Sequence, residues 1–373
     1  MRGEVTLTRR LDGIDSQVSR MPAGTAGGRP RAAIYLVLAS LVAFLCLTPK
    51  AICQTALGQV SITAEPLPAS TDGPFIDPAK GFFMQELGQN LFFVTDGIYQ
   101  CMFLVTTKGV ILVDAPPSIG ANLIKAIREV TAAPVTHLVY SHSHADHIGS
   151  AKLFPNAIII SQRKTAEQVA RDNDPNRPVP HIVFEQEFKL HSGGEVLELS
   201  YFGANHAAGN IFIYAPKQKV LMLVDVFYPG WSMFESLAFA GITDLPGWFQ
   251  AQDRALTFDF RFFVSGHVNR FATKEDLEVQ RKYVADLRHN AIHALQTVDL
   301  GAIAARTGAR NSWLLFSTYL NAVAQSCADD TLAKWKNRLG AADVFTFSHC
   351  NTIVQSLRFN DGLTVDRQTI PEP

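Results

Sequence analysis

Short apolar runs separated by polar breaks dominate the chain from about residue 90 to residue 270. LFFVTD at 91–96, CMFLVTT at 101–107 and VILVD at 110–114 have the length and the β-branched and aromatic content of consecutive strands. In IGANLIKAIREV at 119–130 the apolar positions Leu123, Ile124, Ile127 and Val130 fall on one helical face. The alternation repeats, with a strand at 135–140, a helix after His147, a strand at 157–161 and a helix at 163–171. A second strand series is predicted at 182–190, 195–202, 210–215 and 219–224. This is the pattern of an α/β chain that opens with hairpin-like strands.

Beyond Asn269 helical spacing takes over. Thr273 followed by Asp276 is a helix-capping signal, after which Leu277, Val284, Leu287, Ala291 and Leu295 keep one apolar face. Further helices are predicted at 301–307, 312–326, 329–339 and 343–357. The chain thus divides into an α/β unit at 81–270 and a helical C-terminal extension at 271–373, packed on that unit. Residues 59–80 hold four prolines and few large apolar side chains, and read as a linker.

Residues 1–58 read as a leader. Ala32–Leu47 is sixteen residues without a charge, behind a segment (1–31) carrying six Arg against one Glu and two Asp. A bilayer span needs about 20 apolar residues and a signal-peptide core about 7–15, so the length favours export, with cleavage after Ala56-Leu57-Gly58. An uncleaved N-terminal membrane anchor is the competing reading. The expected location is therefore periplasmic or secreted.

Composition adds exclusions. Of 373 residues 47% are apolar and 18% charged, which rules out a largely disordered chain. With 33 basic against 34 acidic side chains there is no footprint of a nucleic-acid binder, and small-molecule partners are expected. The five cysteines include no C-x-x-C pair, so a thiolate zinc site has no support. Cys327 and Cys350 could form a disulfide in an oxidising compartment; three buried thiols, with Cys101, are an equal reading.

The chemistry concentrates in His142-Ser143-His144-Ala145-Asp146-His147, directly after an apolar strand. Three imidazoles and a carboxylate within six positions are ligands suited to zinc and similar divalent ions. On an extended loop His142 and His144 point the same way, so both can reach one metal while Asp146 and His147 turn toward a second. The other histidines, at 137, 181, 191, 289, 293 and 349, carry no such pattern. His289 and His293 stand four apart on a predicted helix without an accompanying Glu, and read as a solvated or packed face.

With this loop the chain resembles the metallo-β-lactamase fold superfamily over roughly residues 90–270. Five signatures occur in order: Asp114 ending VILVD, the H-x-H-x-D-H loop, His206 in GANHAAGN, Asp225 ending LMLVD, and His267 in VSGHVN. The resemblance implies a four-layer αβ/βα sandwich and a dinuclear centre of two zinc ions. His142, His144 and His206 would hold the first metal, Asp146, His147 and His267 the second, and Asp225 would bridge them. A hydroxide between the metals would be the nucleophile, oriented by Asp146. Asp114 would accept from a ligand or loop N–H and fix the geometry. Ser150 departs from the family, where Gly is common.

The implied activity is hydrolysis of an ester, lactone, thioester or amide. Asp225 stands where zinc β-lactamases of the family carry Cys or Ser, which lowers but does not exclude β-lactamase activity. The same fold would also suit a mononuclear-iron oxygenase, or a non-catalytic accessory protein that keeps the metal site. Residues 227–249 hold seven aromatics, at Phe227, Tyr228, Trp231, Phe234, Phe239, Trp248 and Phe249, which either wall a pocket for a hydrophobic substrate or pack beneath the extension. Basic side chains near the motifs are sparse, favouring a neutral substrate.

Overall fold

A computed structural model describes residues 66–359 except residue 309. The leader at 1–58 and the last residues of the extension lie outside the described residues. Among the described residues no helix is long and apolar enough to cross a membrane.

Two sheets stack face to face. The first has seven strands in sequence order, β1 (Phe83–Gly88), β2 (Leu91–Thr95), β3 (Gln100–Thr106), β4 (Gly109–Val113), β5 (Val135–Val139), β6 (Ile158–Gln162) and β7 (Ile182–Phe184). Its β1–β4 pairs are antiparallel and its β4–β7 pairs parallel. Helices α1 (Asn122–Val130), α2 (Ala145–Ile148) and α3 (Arg163–Asp172) supply the crossovers that parallel pairing demands. The second sheet runs β12 (Phe262–Val264), β11 (Val220–Met222), β10 (Phe212–Ala215), β9 (Glu195–Ser200), β8 (Glu187–Ser192). Helix α4 (Leu245–Ala255) connects β11 to β12, which pair in parallel.

Strand alternation explains the layering. Ile111 and Val113 of β4 face the other sheet, with Phe93, Met102, Leu197, Ile213 and Met222. Val110 and Leu112 face outward, against Leu123 and Ile127 of α1. Period-two alternation of apolar residues on both faces is what a sheet covered on each side requires. The four-layer sandwich implied by the sequence is the observed architecture.

The outer face of the second sheet shares a core with α5 (Lys274–Thr297), α7 (Ser312–Trp335) and α8 (Ala342–Phe359), while α6 (Leu300–Thr307) packs on α7. Leu221, Leu223 and Phe263 from the sheet share one core with Trp248, Tyr283, Leu287, Val323 and Ile353. The cap signal is realised: Thr273 N–H donates to Asp276 Oδ2 at 2.9 Å. A disulfide joins Cys327 of α7 to Cys350 of α8, and Cys101 is a buried free thiol.

Four sequence expectations change. The run at 182–190 is two strands in different sheets, because the chain turns at 185–186 to cross between them. The helices at 312–326 and 329–339 are one helix, α7; neither Gly nor Pro interrupts it, and Cys327 and Ala328 continue its buried face. The helix after His147 is a single turn, Ala145–Ile148, followed by a 3₁₀ turn at Ala151–Leu153. The described part of the expected linker is held down. Ser70 Oγ donates to the carbonyls of Gly230 (3.1 Å) and Arg338 (2.7 Å), and Arg270 Nη2 donates to Ser70 O (3.0 Å).

Candidate metal centre

Strand ends of both sheets meet at one edge, and the side chains singled out from the sequence converge there. His142 follows β5 in a bend and His144 in extended backbone, and Asp146 and His147 lie on the α2 turn. His206 lies in the loop from β9 to β10, while Asp225 and His267 follow β11 and β12. Two sets of ligand-capable side chains result: His142, His144, His206 and Asp225, and Asp146, His147 and His267. Within each set the ligand atoms lie within 4.8 Å of one another.

Asp225 is the centre of the cluster. Its Oδ2 stands 3.1 Å from both His206 Nε2 and His147 Nε2 and 3.5 Å from His142 Nε2, and its Oδ1 stands 2.9 Å from His267 Nε2. His206 Nε2 is 3.0 Å from His144 Nδ1, and His147 Nε2 is 3.1 Å from His267 Nε2. Asp146 Oδ2 completes the second set, 3.6 Å from His147 Nε2. Ligand atoms placed tetrahedrally around an ion with bonds of about 2.1 Å would be roughly 3.4 Å apart. The observed separations fit that spacing. His142 Nε2 is buried with no hydrogen-bond partner, the state of a nitrogen whose lone pair is reserved for a cation. The residues present thus fit metal ions, and the carboxylate of Asp225 reaches imidazoles of both sets, an arrangement consistent with a dinuclear site.

The electrostatics of the cluster set two rings held neutral by burial, His142 and His144, beside one that its carboxylates keep charged, His147. Burial and the neighbouring His144 and His147 hold His142 well below the usual imidazole range, and burial with His206 takes His144 down to about 4. Burial also opposes charge on His147, but Asp225, Asp146 and Asp114 outweigh it and raise this ring to about 9. Asp225 is buried, yet His147, His267 and His206 hold its carboxyl well below its ordinary value.

Second contacts fix these groups. His206 Nδ1–H donates to Ala238 O at 2.7 Å, which leaves Nε2 free to face the cluster. Asn205 Oδ1 accepts from His206 N (2.6 Å) and Asn210 Nδ2 (2.8 Å), and Asn210 Nδ2 also donates to Val224 O (2.8 Å), tying this loop to the strand end that carries Asp225. Asp114 Oδ1 accepts from the Ser141 amide at 2.8 Å, next to His142. Asp114 and Asp225 both adopt positive φ, 61° and 63°, which turns each side chain inward off a strand end. Gly266, at φ 87°, permits the close approach of the His267 loop, since a Cβ there would meet Val224 Cγ1 at 2.5 Å and His147 Cε1 at 3.2 Å. Ser150 is buried and its amide donates to Ala115 O, so it leaves the geometry intact.

Sequence reasoning missed two groups. Tyr99 OH donates to Asp146 Oδ2 at 3.3 Å, and its ring lies 4.6 Å from that of His267; burial and Asp146 push its pKa to about 12. Buried Gln100 accepts from Ser265 N (3.0 Å) and donates to the carbonyls of Val268 (3.0 Å) and Arg270 (2.7 Å), clamping the loop that carries His267. Both stand at the start of β3, far from any motif. The Tyr228 hydroxyl, noted only as an aromatic, donates to Asp225 Oδ1 at 3.4 Å. The remaining histidines stay outside the cluster. His289 and His293 are exposed on α5, and His349 is buried on α8 between Tyr283 OH (2.9 Å) and Phe234 O (3.1 Å).

Two stacked sheets with a His/Asp cluster at their common edge define an αββα metal-binding protein. Residues 94–259 match the family model of the metallo-beta-lactamase superfamily, and they form a domain of that family. The chain is 27% identical over 190 residues to the 2,4-dinitroanisole O-demethylase subunit alpha of Nocardioides sp., covering 49% of this chain and 56% of that protein. It is 27% identical over 166 residues to the metallo-beta-lactamase type 2 of Elizabethkingia meningoseptica, covering 43% and 65%. Both matches span less than two thirds of the relative. A solved metallo-beta-lactamase from Pontibacter korlensis superimposes with a TM-score of 0.48 at 19% identity, over 54% of this chain and 97% of that one.

Proposed function

We propose that the protein is a di-zinc hydrolase that cleaves an ester, lactone, thioester or amide bond. What supports the reading is that Asp225, a member of one ligand-capable set, also stands 3.1 Å from His147 Nε2 and 2.9 Å from His267 Nε2 of the other. His142, His144, His206 and Asp225 would hold one ion, and Asp146, His147, His267 and Asp225 the other. Two such ions supply a water of lowered pKa and Lewis-acid polarisation of the scissile carbonyl.

The chain's own residues set up the rest. Asp225 stays ionised and offsets positive charge inside a buried site. Asp146 is 44% exposed and faces the open side of the cluster, where its carboxylate can accept and orient a proton. Tyr99, kept protonated by burial, donates to that carboxylate and limits its rotation. The substrate is a small molecule, and export with a cleaved leader remains the expected setting.

The test is turnover of chromogenic ester, lactone, thioester and cephalosporin probes by purified protein, with and without chelator, beside metal analysis. 2,4-Dinitroanisole belongs in the panel because a relative is named for its demethylation. Two zinc ions per chain and chelator-sensitive hydrolysis support the proposal. One iron per chain, or no chelator-sensitive turnover of any probe, would sink it.

A further inference from the structure

A cavity of about 620 Å³ opens directly on the metal centre, with His144, Asp146, His206, Asp225 and His267 on its floor. Its walls are largely apolar and aromatic, and among the described residues no Lys or Arg lines it. Three rings form one side. Phe234 stands 5.6 Å from Phe239 and 5.3 Å from Phe345, centroid to centroid, in edge and tilted arrangements. Phe234 and Phe239 remain 48% and 43% exposed, so an apolar surface is kept open beside a polar floor. Phe345 on α8, and Ala341 just before it, come from the helical extension.

The extension also holds this wall in place. Ser236, Leu237, Ala238 and Phe239 all have positive φ, between 53° and 58°, a conformation that non-glycine residues rarely adopt in succession. Helix α8 grips the start of the segment: Ser236 N donates to Ser348 Oγ (3.1 Å), and His349 Nε2–H donates to Phe234 O (3.1 Å). The other end is tied to the metal centre through His206 and the Ala238 carbonyl. Backbone strain concentrated between a cavity and a metal ligand marks a segment whose placement serves the site.

We propose that the helical extension is the specificity element of this site, and that Phe345, Phe234 and Phe239 form an aryl-binding wall selecting uncharged substrates with a large aromatic group. A planar ring meets ring edges and faces in the geometry aromatic pairs prefer. A carboxylate or phosphate held against these rings, away from the metal floor, would meet no Lys or Arg among the described residues and would leave a desolvated charge. The inference rests on the hydrolase reading only for where the reacting bond lies, above His144 and Asp146.

Equilibrium binding separates the two. Metal-loaded, full-length protein is titrated calorimetrically with 2-acetylnaphthalene, an unreactive neutral ketone, with its anionic twin 6-acetylnaphthalene-2-sulfonate, whose sulfonate is a poor metal ligand, and with 2-butanone. The naphthyl ketone should bind at least about tenfold more tightly than either comparison, and Phe345→Ala should weaken it about tenfold. Phe345 is half-buried, so metal content and melting temperature should stay near wild type; Phe234→Ala probes the same wall should that variant fail to fold. Equal binding of the three ketones, tighter binding of the sulfonate, or unchanged naphthyl binding in the folded variants would overturn the proposal. Because the readout needs no turnover, a protein that selects the aryl ketone yet hydrolyses nothing fails the hydrolase reading alone.

Discussion

Asp114 carries a cost that a single atom change should expose. The side chain is fully buried, with Oδ1 accepting from Ser141 N and Oδ2 lacking a partner. Burial raises its carboxyl from 3.8 to about 6. Holding it ionised at neutral pH therefore disfavours the metal-free fold by about 3 kcal/mol. The sign is opposite to that of a salt-bridged carboxylate: the penalty is absent below about pH 4, grows between about 4 and 6, and is complete above. Asp114→Asn keeps the acceptor for Ser141, tolerates the positive φ, and removes the charge. In chelator, urea unfolding should show the variant more stable by up to about 3 kcal/mol at pH 7.5 and by roughly half that at pH 5. The figure is an upper bound, since Asp114 also supports the His147 cation. The same variant should bind metal more weakly, by about 10–100-fold, as for other outer contacts of metal ligands. A variant that is less stable at both pH values, or whose advantage ignores pH, would refute the reasoning.

Asp225→Ala should lower occupancy of both metal positions, whereas His267→Ala should mainly empty the second; equal loss of both metals in each variant, by elemental analysis, would contradict the shared role. With His147 at about 9 in the metal-free protein, a metal must displace its proton at neutral pH. Zinc affinity should then rise about tenfold per pH unit up to about 9 from this ring alone, and competition against a chromophoric chelator between pH 6 and 9 would detect a flat profile. The Cys327–Cys350 bridge closes a separation of 23 residues, which in the chain-entropy account is worth about 3 kcal/mol. Replacing both cysteines with Ala should lower urea stability by that order, and no loss would show that the unfolded chain is not constrained by it.

The ligand loop was readable because its chemistry is local. Four of the seven ligand candidates stand within six positions, and their alternation in an extended loop already sorts them into two directions. His206, Asp225 and His267 were singled out by the family resemblance of the ordered signatures; taken singly, each reads as an ordinary loop histidine or strand-end carboxylate. Tyr99, Gln100 and the Ala238 carbonyl were not. They act across separations of 32 to 170 residues, through single hydrogen bonds that need no particular neighbours in sequence. The seven aromatics of 227–249 divide in the fold: Phe227 and Trp248 are core, and Phe234 and Phe239 line the cavity. Composition could not separate them, because burial depends on what the extension covers.

Periodicity therefore marked the alternation of strands and helices, and the ordered signatures, through the family they resemble, pointed to the four layers and to the side chains that the fold gathers at one edge, since such patterns are local in sequence. Only the tertiary structure decided which oxygen of Asp225 faces which imidazole, where the aromatic wall stands, and that α8 of the extension braces the segment holding His206. Those depend on contacts between chain segments from tens to more than a hundred residues apart, where packing and loop closure, not local preference, choose the neighbour.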